Sequence, residues 1–226
     1  MGRKNKLQRF AENLTFPHLF QYSYEEAVKG FPLKGKWNSD FFKNDNPIVL
    51  ELGCGKGEYT VGLARKFPGK NFIGIDVKGA RLWRGLKTSH EEGLKNVAFV
   101  RARIELIEYF FGKNEVDEIW ITFPDPQIKE SREKKRLTSP LFLNRYKTFL
   151  KPGGILHLKT DALLLYDYTL EVLKQQGFEI EYANEDIYHS DLDNEVVEIQ
   201  TFYEQKWLEF NTPIRYIRAR LIDNEH

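Results

Sequence analysis

The sequence predicts an α/β protein built on a mostly parallel sheet with helices on both faces. From Pro47 onward, segments with strand character alternate with helical segments, which is the order expected when helices connect parallel strands. The apolar run Ile48–Leu52 is short and stops at Gly53, as in a strand buried on both faces. Hydrophobic residues make up 41% of the 226 residues, which is enough for a sizeable core.

Seven strands and five helices follow from the apolar runs and from the glycines and prolines that interrupt them. The predicted strands are Ile48–Leu52, Asn71–Asp76, Val97–Val100, Val116–Phe123, Ile155–Lys159, Phe178–Ile187 and Ile214–Leu221. The predicted helices are Glu58–Phe67, Gly79–Gly93, Ser139–Leu150, Ala162–Gln176 and Thr201–Phe210. Pro68-Gly69 ends the first helix, Pro124 breaks the fourth strand, and the run 151–154 (KPGG) is a sharp turn.

Residues 1–45 differ from the rest and are predicted to be an N-terminal basic and aromatic extension of a domain spanning 46–226. The extension holds Arg3, Lys4, Lys6 and Arg9, followed by aromatic residues without a sustained period. Two interpretations remain open. The extension is either a frayed tail with a packing arm, or a basic arm that contacts a phosphate backbone.

Composition excludes several protein classes. The formal net charge is +1, so nucleic-acid affinity must come from local charge clusters. A single cysteine excludes an internal disulfide framework and a cysteine-rich zinc site, and the five histidines show no metal-ligand spacing, so no metal is expected. No apolar run approaches the roughly 18 residues of a membrane helix, and no signal peptide is evident. We expect a soluble cytoplasmic protein.

A glycine-rich loop with an acidic residue before it indicates a nucleotide-like, cationic ligand. Gly53, Gly55 and Gly57 follow the first strand as G-x-G-x-G, whereas a dinucleotide fingerprint reads G-x-G-x-x-G. Glu51 would repel a pyrophosphate and attract a cation. S-adenosylmethionine carries an ammonium and a sulfonium and no phosphate, so it fits. A glycine turn kept for packing alone is the alternative.

Asp76 ends the second predicted strand, 19 residues after Gly57. An acid at this place can accept hydrogen bonds from both ribose hydroxyls of a nucleoside. The glycines, Glu51 and Asp76 together therefore predict the cofactor site.

The segment after the fourth strand predicts a rigid carboxylate beside a basic surface. Pro124 and Pro126 bracket Asp125 and stiffen the backbone around it; a simple turn-forming Asp is the alternative. The run 129–136 (KESREKKR) carries five cations against two anions. A solvated loop is the common interpretation of such a run, but its place after Asp125 favours contacts with a polyanion. The candidate phosphate contacts are Arg132, Lys134, Lys135 and Arg136.

Five motifs together resemble the bacterial tRNA (guanine-N7)-methyltransferases. They are ELGCGKG at 51–57, GIDV at 74–77, TFPDPQIKESREKKRL at 122–137, LHLKTD at 156–161 and TFYEQKW at 201–207. The resemblance covers about residues 46–220. It implies a Rossmann-like class I methyltransferase fold with seven mostly parallel strands and an antiparallel last strand. It also implies methyl transfer from S-adenosylmethionine to N7 of guanine-46 in the tRNA variable loop.

The resemblance assigns roles to individual residues. Glu51 and Asp76 match cofactor contacts, and Asp125 matches a catalytic or cofactor-proximal residue. The matches to substrate contacts are Lys129, Asp161, Thr201, Phe202, Tyr203 and Glu204. This chain departs from the family pattern at two places. Arg103 stands where the family usually has an Asp near the adenine, and Glu105 is the nearby acid that would take the role of that Asp. Gln127-Ile128 stands where the family often has a Trp.

Three other functions were weighed. A small-molecule methyltransferase would use the same cofactor site but leaves the basic run unexplained. A non-catalytic RNA-binding module would bind tRNA without S-adenosylmethionine. A nicotinamide dehydrogenase is disfavoured by the glycine spacing and Glu51. The sequence leaves open whether the protein is a monomer or a homodimer.

Overall fold

The computed structural model describes residues 5–222, and the chain divides into two compact units at Phe110 and Phe111. The division into an extension at 1–45 and a domain at 46–226 stays a prediction. Arg3 and Lys4, part of the predicted basic arm, lie outside the described residues.

The first unit, up to Phe110, contains four parallel strands in the order β1-β4-β3-β2. The strands are β1 Leu19–Gln21, β2 Ile48–Leu52, β3 Asn71–Ile75 and β4 Val97–Arg101. The helices are α1 Lys6–Asn13, α2 Tyr24–Lys29, α3 Glu58–Lys66 and α4 Gly79–Glu91, with a π-helical turn at Trp37–Phe42 and a 3₁₀ segment at Ile104–Tyr109. The three strands and two helices predicted for this part of the chain are confirmed.

The extension packs into this first unit. Leu19 of β1 pairs with Phe99 of β4 in parallel register, so the extension adds an edge strand that the sequence did not predict. Trp37 is fully buried, and its Nε1 donates to the Phe110 carbonyl at 3.0 Å. These contacts favour the packing-arm interpretation for residues 5–45.

Helix α1 packs against α4. The Arg9 guanidinium lies 4.9 Å from the centre of the Trp83 ring, and Trp83 Nε1 donates to the Glu12 carboxylate. Asn13 Nδ2 donates to the Gly79 carbonyl at 2.8 Å. The basic residue Arg9 therefore contributes to packing in this unit.

The second unit, from Phe111, contains strands in the order β5-β6-β8-β7. The strands are β5 Val116–Thr122, β6 Leu150–Thr160, β7 Phe178–Asn184 and β8 Arg215–Leu221. The helices are α5 Pro140–Tyr146, α6 Leu163–Gln175, α7 Glu195–Glu198 and α8 Phe202–Glu209, with 3₁₀ segments at Glu130–Lys135 and Ile187–His189. Strands β5 and β6 are parallel, and β8 is antiparallel to both β6 and β7, which confirms the predicted antiparallel last strand.

The predicted turn at 151–154 lies inside β6. Leu150 pairs with Val116, and Ile155 pairs with Glu118, so the four residues between them bulge out of the ladder and the pairing then resumes. Gly153 has a φ of 73°, which lets the backbone turn at this point. The predicted turn is therefore present as a bulge within the long strand β6.

Rings from three adjacent strands pack together in the second unit. Trp120 and His157 stack with ring centres 3.8 Å apart and a 3° angle between planes. His157 Nδ1 lies 2.7 Å from the Tyr216 hydroxyl. Burial lowers the pKa of His157 and keeps the ring neutral in this stack.

Candidate functional site

The glycine loop between β2 and α3 has the backbone that its sequence predicts. Gly53, Gly55 and Gly57 have φ values of 76°, 57° and 69°, a region that side chains disfavour. A Cβ on Gly57 would also lie 2.7 Å from the Phe99 ring, so this side chain of β4 leaves no room for one. The loop therefore presents bare backbone at the carboxyl end of β2.

Glu51 is buried beneath this loop and fixed to helix α3. It is 3% exposed, and its Oε2 accepts from the Thr60 backbone N–H at 2.8 Å and from the Thr60 hydroxyl. Thr60 lies in the first turn of α3, where a carboxylate is stabilised by the helix dipole. Glu51 is thus held in one orientation.

Asp76 connects the end of β3 to the glycine loop. Its Oδ2 accepts from Gly55 N at 2.9 Å, and its Oδ1 accepts from Lys78 N at 2.7 Å. A carboxylate oxygen has capacity for two hydrogen bonds, so each oxygen retains capacity for a ligand hydroxyl. The first unit therefore brings the predicted residues Glu51, Gly53, Gly55 and Asp76 together.

The loop is electronegative. Cys54 lies in it and is buried; burial raises the pKa of the Cys54 thiol, and the charges of Glu51 and Asp76 raise it further. The Cys54 thiol therefore stays protonated and is not a reactive nucleophile. Two carboxylates around one glycine loop suit a cationic ligand better than a phosphate.

The first unit contains a cavity of about 430 Å³, and Val77, the residue after Asp76, is part of its lining. The cavity is also lined by Arg101 and Arg103 at the end of β4, and by residues 21–24 of the extension. Its size suits a small-molecule ligand. The Arg103 side chain is 72% exposed and lies 4.0 Å from Glu105. Arg103 was predicted from the sequence to lie near the adenine of the cofactor. The contribution of the extension to this cavity was not predicted, because a three-residue strand gives no periodic signal.

Asp125 lies on a strained loop of the second unit. Phe123 and Gln127 have φ values of 47° and 46°, which cost about 1–3 kcal/mol each for non-glycine residues. Asp125 is exposed, and its Oδ1 accepts from Gln127 N at 3.0 Å. The Phe123 N–H donates to the Lys159 carbonyl at 2.8 Å. The loop therefore presents a carboxylate in a fixed conformation after β5.

Arg136 holds this loop from the far end of the basic run. It is 6% exposed; its Nε donates to the Pro126 carbonyl and its Nη2 to the Gln127 carbonyl, both at 3.2 Å. Its guanidinium also lies 4.3 Å from the centre of the Tyr168 ring. A guanidinium engaged in this way is not presented to solvent, so the structure does not place Arg136 with the predicted phosphate contacts.

The other cations of the run remain at the surface. Lys129, Arg132, Lys134 and Lys135 are exposed, and all but Lys129 lie on the 3₁₀ segment Glu130–Lys135. Glu133, on the same segment, accepts from the Tyr168 hydroxyl. The segment therefore presents positive charge outward.

The predicted substrate residues 201–204 divide into a buried pair and an exposed pair. Thr201 and Glu204 are buried and form a capping box at the start of α8, with bonds of 3.2 Å in both directions. Phe202 and Tyr203 are 51% and 46% exposed, with ring centres 5.8 Å apart. Asp161 follows β6 and is half-buried, and its carbonyl accepts from Arg215 at 2.8 Å. Among these predicted substrate residues, only the exposed pair, Phe202 and Tyr203, presents whole side chains to a ligand.

A buried ion pair fixes the start of α8, and sequence reasoning missed it. Lys159 and Glu204 are both fully buried and paired. Lys159 Nζ also donates to the carbonyls of Val196 and Ile199, and the Tyr188 hydroxyl donates to Glu204 at 2.7 Å. Burial lowers the pKa of Lys159 and raises that of Glu204, while their attraction opposes both shifts. The one sign of this ion pair in the sequence is that Lys159 lies inside a strand predicted to be buried.

The described residues contain neither a metal-binding cluster nor a helix that could span a membrane. Within residues 5–222, no group of three His, Cys, Asp or Glu side chains is arranged to hold a metal ion. No helix in that range has the length and apolar character needed to cross a membrane.

Comparison with known proteins gives consistent matches. The family model Methyltransf_4, described as "Putative methyltransferase", matches residues 45–216. A tRNA (guanine-N(7)-)-methyltransferase of Christiangramia forsetii is 62% identical over 223 residues, covering 98% of this chain and 100% of the relative. A protein of the same name from Bacteroides fragilis is 54% identical over 220 residues, covering 96% of this chain and 86% of the relative.

Among solved structures, the 16S rRNA methyltransferase KamB is similar with a TM-score of 0.64. The sequences are 13% identical, and the match covers 82% of this chain and 92% of KamB. At that identity the likeness concerns the fold alone. It confirms the predicted methyltransferase fold, with mostly parallel strands and antiparallel C-terminal strands.

Proposed function

Because this chain belongs to the tRNA (guanine-N(7)-)-methyltransferase family, we propose that it methylates N7 of a guanine in tRNA, using S-adenosylmethionine as methyl donor. The specific target we propose is guanine-46 in the variable loop. The observation that carries the proposal is the glycine loop with its two carboxylates, in which Asp76 accepts from Gly55 N at 2.9 Å and Glu51 accepts from Thr60 N at 2.8 Å. Such a loop fits a ligand that carries an ammonium, a sulfonium and a ribose.

Glu51, Asp76 and the cavity lined by Val77 would hold the cofactor. The Asp76 carboxylate, oriented by Gly55 N and Lys78 N, would accept from the ribose hydroxyls. Val77 and Arg103 at the cavity would contact the adenine, where an arginine donates hydrogen bonds and accepts none. When bound, S-adenosylmethionine supplies an electrophilic methyl group on a positively charged sulfur.

Guanine N7 has an in-plane lone pair and no hydrogen, so no residue has to remove a proton before the transfer. The residues of the chain therefore contribute alignment and electrostatic support. Positive charge develops on the guanine during the transfer, and the Asp125 carboxylate, on its fixed loop, would stabilise that charge. This role makes Asp125 the catalytic residue of the proposal.

Exposed residues of the second unit would hold the tRNA. Phe202 and Tyr203 present rings on which a base can stack, and Lys129 and Asp161 would contact the same nucleotide. Arg132, Lys134 and Lys135 would contact phosphates and help to offset a base-opening cost of a few kcal/mol. The buried pair Thr201 and Glu204 would act by fixing the start of α8.

The proposal is tested by incubating the protein with methyl-labelled S-adenosylmethionine and, in parallel, unmodified tRNA, guanosine and GMP. We expect label in the tRNA and none in the small molecules. Label in guanosine or GMP would favour the small-molecule methyltransferase. Binding of tRNA with no detectable affinity for S-adenosylmethionine would favour the non-catalytic RNA-binding module.

We expect Arg136→Lys to lower kcat about ten- to a hundredfold. Lysine keeps the charge but cannot donate to both the Pro126 and Gln127 carbonyls or stack as a plane on Tyr168, and small displacements of a reacting group cost up to about a hundredfold in rate. The readout is steady-state kinetics with tRNA, with S-adenosylmethionine binding measured separately.

Arg132→Lys is the matched control, since Arg132 lies in the same run but is exposed. This variant keeps the positive charge that a phosphate contact requires, so kcat and KM should stay close to the wild-type values. If Arg136→Lys leaves kcat within twofold of wild type, Arg136 is not a positioning residue for the Asp125 loop.

A further inference from the structure

Helix α4 carries a row of exposed cations that the proposed function has not used. Lys78 at its N-cap, Arg81 and Arg84 follow one another at intervals of three residues, so they share a face of the helix. All three are exposed. We refer to Lys78, Arg81 and Arg84 as the α4 basic surface.

The α4 basic surface has no acidic partners within residues 5–222. Lys87, on the face of α4 that packs against α1, lies 3.9 Å from Glu12 and 3.6 Å from Glu91. No carboxylate in the described chain makes such a pair with the three cations of the surface. Their charge is therefore not neutralised by any carboxylate among the described residues.

Helix stability does not explain these cations. The first turn of α4 contains no acidic residue, as is also true of α1, α5 and α6, so no acid in that turn offsets the charges of Lys78 and Arg81. Cations near a helix N-terminus oppose the helix dipole and destabilise the helix by a few tenths of a kcal/mol or more. The positively charged side chains at the start of α4 therefore lower the stability of the helix, and a negatively charged ligand would offset that loss.

The surface begins at the candidate cofactor loop. Lys78 N donates to Asp76 Oδ1, and Gly85, one residue beyond Arg84, packs so close to the loop that a Cβ there would lie 2.8 Å from the Lys56 carbonyl. From Lys78 to Arg84 the helix rises about 9 Å, enough for the side chains to reach more than one phosphate of a nucleic-acid strand.

We propose that the α4 basic surface binds the phosphate backbone of the tRNA, as a contact site separate from Arg132, Lys134 and Lys135. This inference rests on the proposed function, which supplies a polyanionic substrate. The whole chain carries a net charge of only +1, so this concentration of unpaired cations is local. It gives the first unit its own contact with the substrate.

The test is the salt dependence of tRNA binding by Arg81→Gln/Arg84→Gln in the full chain. Each lost phosphate contact lowers the slope of log K against log salt by about one, so we expect the slope to fall by about one to two. At fixed salt the tRNA dissociation constant should rise roughly tenfold or more. Lys78 is left intact because its backbone contacts Asp76.

The matched control is Lys66→Gln/Lys95→Gln, which removes the same charge in the same unit. Both lysines are exposed; Lys66 ends α3 and Lys95 precedes β4, at the amino-terminal edge of the strands. This variant should keep the wild-type slope, and both variants should bind S-adenosylmethionine as wild type does.

A wild-type slope and dissociation constant for Arg81→Gln/Arg84→Gln would overturn the inference, and so would equal losses in the two double variants, which would indicate a general charge effect. Failure of the proposed function is distinguishable, since then the wild-type protein itself would transfer no methyl group to tRNA.

Discussion

Asp125→Asn is expected to lower kcat about 10²- to 10³-fold, the usual cost of removing one group that stabilises charge in a transition state. Asparagine keeps an oxygen that can accept from Gln127 N, so the loop conformation is retained while the negative charge is lost. The expected loss therefore reports the electrostatic contribution of the carboxylate. The measurement is single-turnover methyl transfer at saturating tRNA and S-adenosylmethionine.

Asp167→Asn is the control for this prediction, because Asp167 is an exposed acid on α6 and its loss changes the net charge equally. It should leave kcat unchanged. A kcat within threefold of wild type for Asp125→Asn would remove Asp125 from the mechanism. Loss of S-adenosylmethionine binding with kcat retained would assign Asp125 to the cofactor instead.

Lys159→Met is expected to lower the free energy of unfolding by about 3–5 kcal/mol, because it leaves the buried Glu204 carboxylate without its cation. In a protein of this size that loss corresponds to a Tm lower by on the order of 10 °C. Urea denaturation and thermal melts measure it. Below the new Tm, KM for tRNA should rise more than kcat falls, since the start of α8 carries Phe202 and Tyr203.

The double variant Lys159→Met/Glu204→Gln isolates the ion pair. A neutral glutamine side chain at position 204 costs far less free energy to bury than an unpaired carboxylate. The double variant should therefore be more stable than Lys159→Met alone. A Lys159→Met protein as stable as wild type would show that the pair does not hold this segment. Strictly additive losses would show that the two residues act independently.

The strands and the glycine loop were predictable because their signals are local. Ile48–Leu52 is a short run that is apolar except for Glu51, and its end at Gly53 is visible in the sequence. Strand β1 was missed because three residues carry no period. The capping box of Thr201 and Glu204 was visible as T-x-x-E, but the resemblance directed both residues to substrate contacts.

Burial of charge was the part that sequence reasoning did not predict. Arg136 closes a run of charged residues that looks uniformly solvated, yet it turns inward to two carbonyls. Lys159 lies in a strand whose pattern favours burial, and that burial is stabilised by Glu204, 45 positions along the chain, and by two backbone carbonyls. Such pairings depend on tertiary contacts and leave no periodic signal.

The most direct measurement is chain scission at 7-methylguanosine after incubating unmodified tRNA with the protein and S-adenosylmethionine. We expect one scission site, at guanine-46, and none when that guanine is replaced by adenine. Methyl transfer to a different atom, or tRNA that stays uncut although the protein binds both tRNA and S-adenosylmethionine, would contradict it.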